Sequence, residues 1–163
     1  MTAPDWPAGL TPDRAPVHTR NELLVPLPPA RVWQRLVAAP AWPDWYAGAR
    51  DVALPAGRGE LGPGVVFDWT TLGVRVRCRV DLWRPYAALG WSGRALGSTG
   101  HHRWLLTAEG DGTRVVTEEV QAGPVPAVGR WWLRRSLLGW HQRWLAGLAG
   151  GPGTAPGAGR PVG

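Results

Sequence analysis

The sequence contains no lysine: the basic residues are 18 arginines, set against 12 acidic residues for a formal net charge of +6. A positive balance of that size ordinarily points to nucleic acid or an acidic membrane surface. Arginine is accompanied here by 23 Gly, 17 Pro and 12 Trp, all residues with GC-rich codons, so base composition accounts for much of the basicity. No run of basic residues interleaves with exposed aromatics, which speaks against a nucleic-acid partner. Arg75, Arg77 and Arg79 alternate with Val74, Val76, Cys78 and Val80, the pattern of a strand with one wet face. The single cysteine, Cys78, excludes an internal disulfide and any multi-cysteine metal site, and its place on the apolar side of that strand reads as inert core. The N-terminus lacks a charged region followed by an apolar run, so no signal peptide is expected. No stretch is apolar for long enough to span a bilayer. A cytoplasmic protein, monomeric or homodimeric, is the expectation.

Standard catalytic signatures are also missing, with no GxSxG anywhere. Gly57, Gly59 and Gly62 match GxGxxG by letters only, since they precede a strand instead of opening a helix. The four histidines, His18, His101, His102 and His141, form no HExxH or comparable helical pair. No metal and no cofactor is therefore expected.

What is present is a chain of 163 residues, enough for one domain with a real core. Residues 1–16 hold Pro4, Pro7, Pro12 and Pro16 without periodicity and read as a loose arm. Residues 150–163 are a Gly/Pro-rich tail that cannot bury enough surface to order itself. The folded core is expected over residues 17–149. Thr19–Leu27 reads as a first strand, stopped by Pro28 and Pro29, and Pro29 can begin a helix ending before Pro40. A short helical turn at Trp42–Tyr46 follows, then a strand near Arg50–Leu54 and a glycine-rich loop. Strand patterns run over 65–72, 74–83, 88–93, 99–107 and 113–121, separated by short turns and without a helix between them. Consecutive short-turn strands imply an antiparallel sheet, and so an α+β fold.

The last apolar stretch, residues 127–149, predicts a helix of about 30 Å. Leu133, Leu137, Trp140, Trp144 and Leu148 share one face, with Trp131, Leu138 and Leu145 in a second stripe beside it. So wide an apolar arc needs a broad partner, and a sheet supplies one. Arg134 and His141, seven residues apart, lie between the stripes. They must snorkel to an opening, pair with an acid, or face a cavity.

The stretches PLPPARVWQRLVAAPAWPDWY, FDWTTLG, LGWSG, HRWLL and DGTRVVTEEVQAG, followed by the Trp-rich closing helix, resemble the SRPBCC superfamily. More narrowly they are similar to bacterial polyketide cyclase/dehydrase-like proteins, relatives of START lipid-transfer domains. The resemblance covers about residues 19–149 and implies a helix-grip fold. That is a curved antiparallel sheet of about seven strands around a long C-terminal helix, with two short helices after the first strand. An apolar cavity between sheet and helix is implied as well. Members bind lipids, polyketides, quinones or hormones, and some cyclise or dehydrate polyketides. Others act as chaperone co-activators or bind macromolecules, so the fold alone does not settle the reaction.

Trp69, Trp91, Trp104, Trp140 and Trp144 fall on the expected inner faces, where flat rings suit the wall of a pocket and equally suit a plain core. On a strand, His101 and His102 point to opposite faces, and His102 shares the cavity side with Trp104 and Leu106. Glu118 and Glu119 are opposed in the same way. Registering Val115, Thr117 and Glu119 inward is one choice, but Val116 and Val120 compete for the interior, and which glutamate faces the cavity stays open. The candidates for proton chemistry are His102, Glu119, Arg134 and His141. With the five Trp rings they make up the candidate ligand-binding set. The favoured reading is a cavity for a small hydrophobic molecule (lipid, polyketide or isoprenoid), with cyclase or dehydratase activity as an option. The glycine-rich loop over residues 55–64 would then lie at its mouth. The alternative is a non-catalytic module of the same fold that takes RNA or a protein partner on Arg75, Arg77 and Arg79.

Overall fold

A computed structural model describes residues 6–150 of the chain. Strand β1 (Val17–Val25) leads into helix α1 (Pro29–Val37) and a 3-10 helix (Ala39–Asp44). Six strands follow: β2 (Ala49–Ala53), β3 (Val66–Thr71), β4 (Val74–Arg84), β5 (Ala88–Ala95), β6 (Ser98–Glu109) and β7 (Gly112–Ala122). Helix α2 (Pro124–Leu148) closes the fold. All seven strands form one antiparallel sheet in the order β1-β7-β6-β5-β4-β3-β2. The long helix packs on it, chiefly over β1, β7 and β6. This is the α+β, helix-grip arrangement that the sequence implies.

Local chemistry explains the element boundaries. Pro29 stands in the first turn of α1, where its missing N–H costs nothing, and Val32, Trp33, Leu36 and Val37 turn one face to the core. Trp42, carried by the 3-10 helix, is fully buried and donates its indole N–H to the Leu36 carbonyl at 3.0 Å. Its ring meets Phe67, Trp69, Trp91 and Trp144 within 6.1 Å. At the far end of α2, Gly147 lets the helix approach the chain at Trp45 so closely that a Cβ would run into the Trp45 carbonyl oxygen. Arg35 then donates to the Gly147 carbonyl at 3.0 Å, tying α1 to α2.

Burial along α2 is uneven. Apart from Pro126, the buried positions begin at Leu137, so the first half of the helix is not sunk into the core. Trp131, expected in the second apolar stripe, is 76% exposed, and the Arg130 guanidinium lies over its ring at 5.5 Å. The glycine-rich loop also departs from expectation. Leu61 is buried and donates its backbone N–H to Val37 at 2.8 Å, so the loop is pinned against the end of α1 and does not border the cavity.

The arm is built into the fold over residues 6–16, with turns closed by Leu10 N–H to Pro7 (3.0 Å) and Ala15 N–H to Thr11 (2.9 Å). Trp6 lies on the outer face of the sheet, under the Arg103 guanidinium at 3.9 Å and edge-on to His18 and His101. Residues 1–5 of the arm and 151–163 of the tail lie outside the described residues. Among those that are described, no helix is long and apolar enough to cross a membrane.

Two stability predictions follow from this packing. Trp104 is as buried as Trp42, but its indole N–H has no hydrogen-bond partner among the described residues. Trp42→Phe should therefore cost about 1–2 kcal/mol more than Trp104→Phe in urea denaturation, and equal losses would contradict the assignment. Trp6→Ala should lower stability by about 1–2 kcal/mol through lost ring contacts; an unchanged midpoint would show that the arm is not anchored.

Candidate active site

The sheet register builds the site. Glu119 on β7 stands opposite Thr19 on β1 and opposite His102 on β6, and His102 in turn stands opposite Trp91 on β5. Thr19, Glu119, His102 and Trp91 thus form one row across four strands, all on the face that α2 covers. Helix α2 completes it by lowering His141 onto the row. His141 Nε2 lies 3.0 Å from Glu119 Oε2, and His102 Nδ1 lies 3.4 Å from the same oxygen. His102 and His141 are buried, and the Glu119 side chain is 14% exposed.

Each group has a further partner. His102 Nε2 contacts the Thr117 hydroxyl at 2.6 Å, His141 Nδ1 contacts the Thr19 hydroxyl at 3.3 Å, and Gln121 donates to Glu119 Oε1 at 2.5 Å. A carboxylate only accepts, whereas a hydroxyl donates or accepts. The arrangement that suits these contacts puts the His141 proton on Nε2, donating to Glu119, and the His102 proton on Nδ1, the nitrogen that faces the carboxylate without hydrogen-bonding to it, with the threonine hydroxyls donating to the other nitrogens. Burial pushes the His102 imidazole down to about 3 from an ordinary 6.5; His141 acts in the same direction and Glu119 against it. Burial also opposes ionisation of Glu119, but the hydrogen bond from His141, the field of both imidazoles and Gln121 outweigh it and hold the carboxyl below its ordinary range.

This polar group lines a cavity of about 270 Å³ between the sheet and α2. Trp69, Trp91, Trp140 and Trp144 supply apolar wall, together with Val76 and Tyr46. The rim carries exposed apolar side chains: Leu72 from the β3–β4 turn, Leu96 from the β5–β6 turn, and Val125 and Trp132 from α2. Both turns are two-residue hairpins with positive φ at each position, 50° and 82° at Leu72-Gly73 and 45° and 72° at Leu96-Gly97. Asn or Gly would occupy the first position with less strain. Leucine there sets an apolar side chain at the opening, and strain of this kind concentrates at ligand sites.

The expected site residues divide clearly. Trp69, Trp91, His102, Glu119, Trp140, His141 and Trp144 converge on the cavity. Trp104 does not line it: fully buried, it stacks on His102 at 5.3 Å and supports the wall from behind. Arg134 is a correction. Its guanidinium is exposed and donates to the His18 carbonyl of edge strand β1 at 3.2 Å, away from the cavity. A seven-residue step turns about 20° around a straight helix, and a long side chain at that edge reaches the strand instead. The question of which glutamate faces inward is also answered. Glu118 points to the outer face, paired with Arg103 at 2.6 Å and His18 at 3.2 Å.

Sequence reasoning missed Thr19, Gln121 and Tyr46, and placed Thr117 on the inward face without giving it a role. Thr117 and Gln121 are two residues to either side of Glu119 and so share its face, a signal that strand alternation carries. Thr19 becomes visible only when the pairing of β1 with β7 is known. Tyr46, stacked on Trp144 at 4.4 Å, had no signal beyond its aromatic character.

A sheet gripping a long helix, with a cavity between them, defines a helix-grip domain. The chain belongs to the family described as polyketide cyclase / dehydrase and lipid transport, whose profile matches residues 16–150. Membership suggests hydrophobic ligand binding or polyketide cyclisation. Among solved structures, hypothetical protein jhp0584 from Helicobacter pylori is similar, with 27% identity over 92% of this chain and 96% of that one, at a TM-score of 0.83. The Zhui aromatase/cyclase from Streptomyces sp. R1128 shares the fold at 17% identity, over 82% of this chain and 91% of its own, with a TM-score of 0.69. The di-domain aromatase/cyclase StfQ of the steffimycin pathway shares it at 16% identity, over 82% of this chain and 49% of its own, with a TM-score of 0.68. No curated protein sequence matches the chain.

The buried histidine makes stability depend on acidity. The unfolded chain protonates His102 near 6.5, but the folded chain resists until about 3, so acid favours the unfolded state between those values. Glu119, depressed in the fold, adds to the same trend below 4.5. Going from pH 7.5 to pH 5 should cost on the order of 2 kcal/mol through His102, read as a falling urea midpoint. His102→Gln should flatten that fall, and a wild-type midpoint unchanged over the range would contradict the burial of a neutral imidazole.

Proposed function

We propose that the protein binds a hydrophobic, fused-ring or polyketide-like molecule bearing a phenol or enol hydroxyl, with the hydroxyl donating to Glu119. The observation that carries this reading is a partly buried, ionised carboxylate in the wall of an otherwise apolar, Trp-rich cavity. A buried carboxylate holds its charge only where donors surround it, and it rewards a ligand that adds another. The indole walls supply flat apolar area for the rest of the molecule. The exposed apolar rim gives such a molecule a path of entry.

Polyketide cyclisation is the second reading, favoured by family membership. It needs a base to take a proton beside a carbonyl, after which the enolate carbon attacks a second carbonyl of the same chain and water is later lost. The resting geometry is better suited to holding an oxygen than to taking that proton. His102 is held neutral by burial and Glu119 is held ionised, so both are weak bases near neutrality. In that proton arrangement the lone pairs of both imidazoles face threonine hydroxyls and not the cavity. Binding is therefore the primary function proposed, and cyclisation follows only if the ligand rearranges this network. Arg75 and Arg77, named for a macromolecular partner, are engaged locally, donating to the Asp51 carbonyl and to the Asp68 carboxylate.

The test is a tryptophan-fluorescence titration with a fused-ring phenol whose hydroxyl has no internal acceptor, 2-naphthol, and its methyl ether. The phenol should bind about tenfold more tightly, the worth of a charge-assisted hydrogen bond. Glu119→Gln should erase the difference, and Trp140→Ala should weaken both. Arg134→Ala should behave like Arg75→Ala, with no effect. Equal affinity of wild type for phenol and ether would overturn the proposal.

A further inference from the structure

We propose that His102, Glu119 and His141 form a binding site for one divalent first-row transition ion, Zn²⁺ or Fe²⁺ by chemistry, with its remaining coordination positions open to the cavity. The ligand atoms would be His102 Nδ1, His141 Nε2 and a Glu119 carboxylate oxygen. These atoms all lie within 4.8 Å of one another. Two of the separations, 3.0 Å and 3.4 Å to Glu119 Oε2, already match the edges of a coordination shell. Metal–nitrogen and metal–oxygen bonds of about 2.0–2.2 Å put neighbouring ligand atoms about 3.0–3.5 Å apart. The two imidazole nitrogens, no more than 4.8 Å apart, would draw together by at most about 1–2 Å.

The donor set is chemically specific. Two imidazoles and one carboxylate are the protein ligands of catalytic zinc sites that keep an open position, and of facial iron(II) sites. The three come from β6, β7 and α2, which explains why no short metal spacing exists in the sequence and why none was expected there. Two of them are cross-strand partners, so the ladder fixes their separation independently of any ion.

The outer contacts fit a metal site equally well. A ligating imidazole donates its second N–H to an outer acceptor, and that partner sets its orientation. Thr117 and Thr19 occupy those places on His102 and His141, and Gln121 holds the second oxygen of Glu119. A hydroxyl that donates to an imidazole nitrogen in the metal-free protein rotates to accept from it once the opposite nitrogen carries the ion. No rearrangement of the backbone is required for the exchange. One carboxylate leaves the ion with a formal charge of +1 in an apolar cavity, which an anionic oxygen from a ligand would neutralise. The inference deepens the phenol-binding reading, in that a phenol held by Glu119 alone would bind the ion as phenolate. It does not depend on that reading, because it is tested with metal alone.

Metal-stripped full-length protein titrated with Co²⁺ should develop visible d–d absorption that saturates at one ion per chain, and Zn²⁺ should displace it. Glu119→Gln, which preserves size, and His141→Ala should each weaken Co²⁺ binding at least about 100-fold, and Thr19→Val about tenfold. His18→Ala, on the opposite face of the sheet, should bind as wild type. If His141→Ala does not fold, Glu119→Gln and the X-ray absorption spectrum of Zn²⁺ on wild type decide the matter, the latter requiring two imidazoles in the shell. No saturable absorption, binding undiminished in Glu119→Gln, or a shell without two imidazoles would overturn the proposal and leave the three side chains a purely hydrogen-bonded network. None of those results would bear on whether phenol and ether are discriminated by the metal-free protein.

Discussion

One cross-strand row governs the molecule: Thr19, Glu119, His102 and Trp91, held side by side by the pairing of β1, β7, β6 and β5. Side chains alternate along each strand, so a slip of one residue in any of these strands would exchange its inward and outward sets. In β6 it would put His101 where His102 stands, and in β7 it would put Glu118 where Glu119 stands. Both faces are committed against that slip. Glu118 is held outside by Arg103 and His18, and His101 is held there by Ser92 at 3.0 Å and Asp81 at 3.4 Å. The polar partners on the outer face thus help to specify which polar groups enter the inner one.

The inner face combines two requirements that pull against each other. A partly buried carboxylate and two buried imidazoles need polar surroundings, while most of the walls around them are indole. The conflict is resolved locally, because each polar atom of the cluster meets another from the sheet or helix within 3.4 Å. The indoles are less well served: the N–H groups of Trp104 and Trp144 have no partner among the described residues. Large rings fill the space between a curved sheet and one helix, but they leave gaps, and the cavity is one of them. Hydrophobic contact fixes the helix at its C-terminal half. Its N-terminal half is left to roof the opening.

Much of this was legible in the chain itself. Prolines after β1, alternation along five consecutive strands and the helical stripe ending at Leu148 specify the element order, since each is a local signal. The site was legible only in part, because it depends on register. His102, Glu119 and His141 stand out as polar residues on apolar faces, yet their meeting requires knowing that β7 lies between β1 and β6. The inward choice at Glu119 was blurred for a physical reason. Val120, on the opposite face, is also fully buried, and both its ladder neighbours, His18 and His101, touch Trp6. A strand end covered on both faces gives no clean alternation. Arg134 misled because helical spacing places a Cα and not the end of a long side chain.

The central claim is that Glu119 organises both imidazoles, accepting a hydrogen bond from His141 and favouring by its charge a His102 proton on the nitrogen that faces it. Long-range proton–nitrogen correlation NMR of the metal-free protein, with histidine ring nitrogens labelled, observes those protons directly at pH 7. The account predicts a neutral His102 with its proton on Nδ1, and a His141 that carries a proton on Nε2. A His102 protonated only on Nε2, or a His141 protonated only on Nδ1, would turn the hydrogens toward Thr117 and Thr19 and contradict the account.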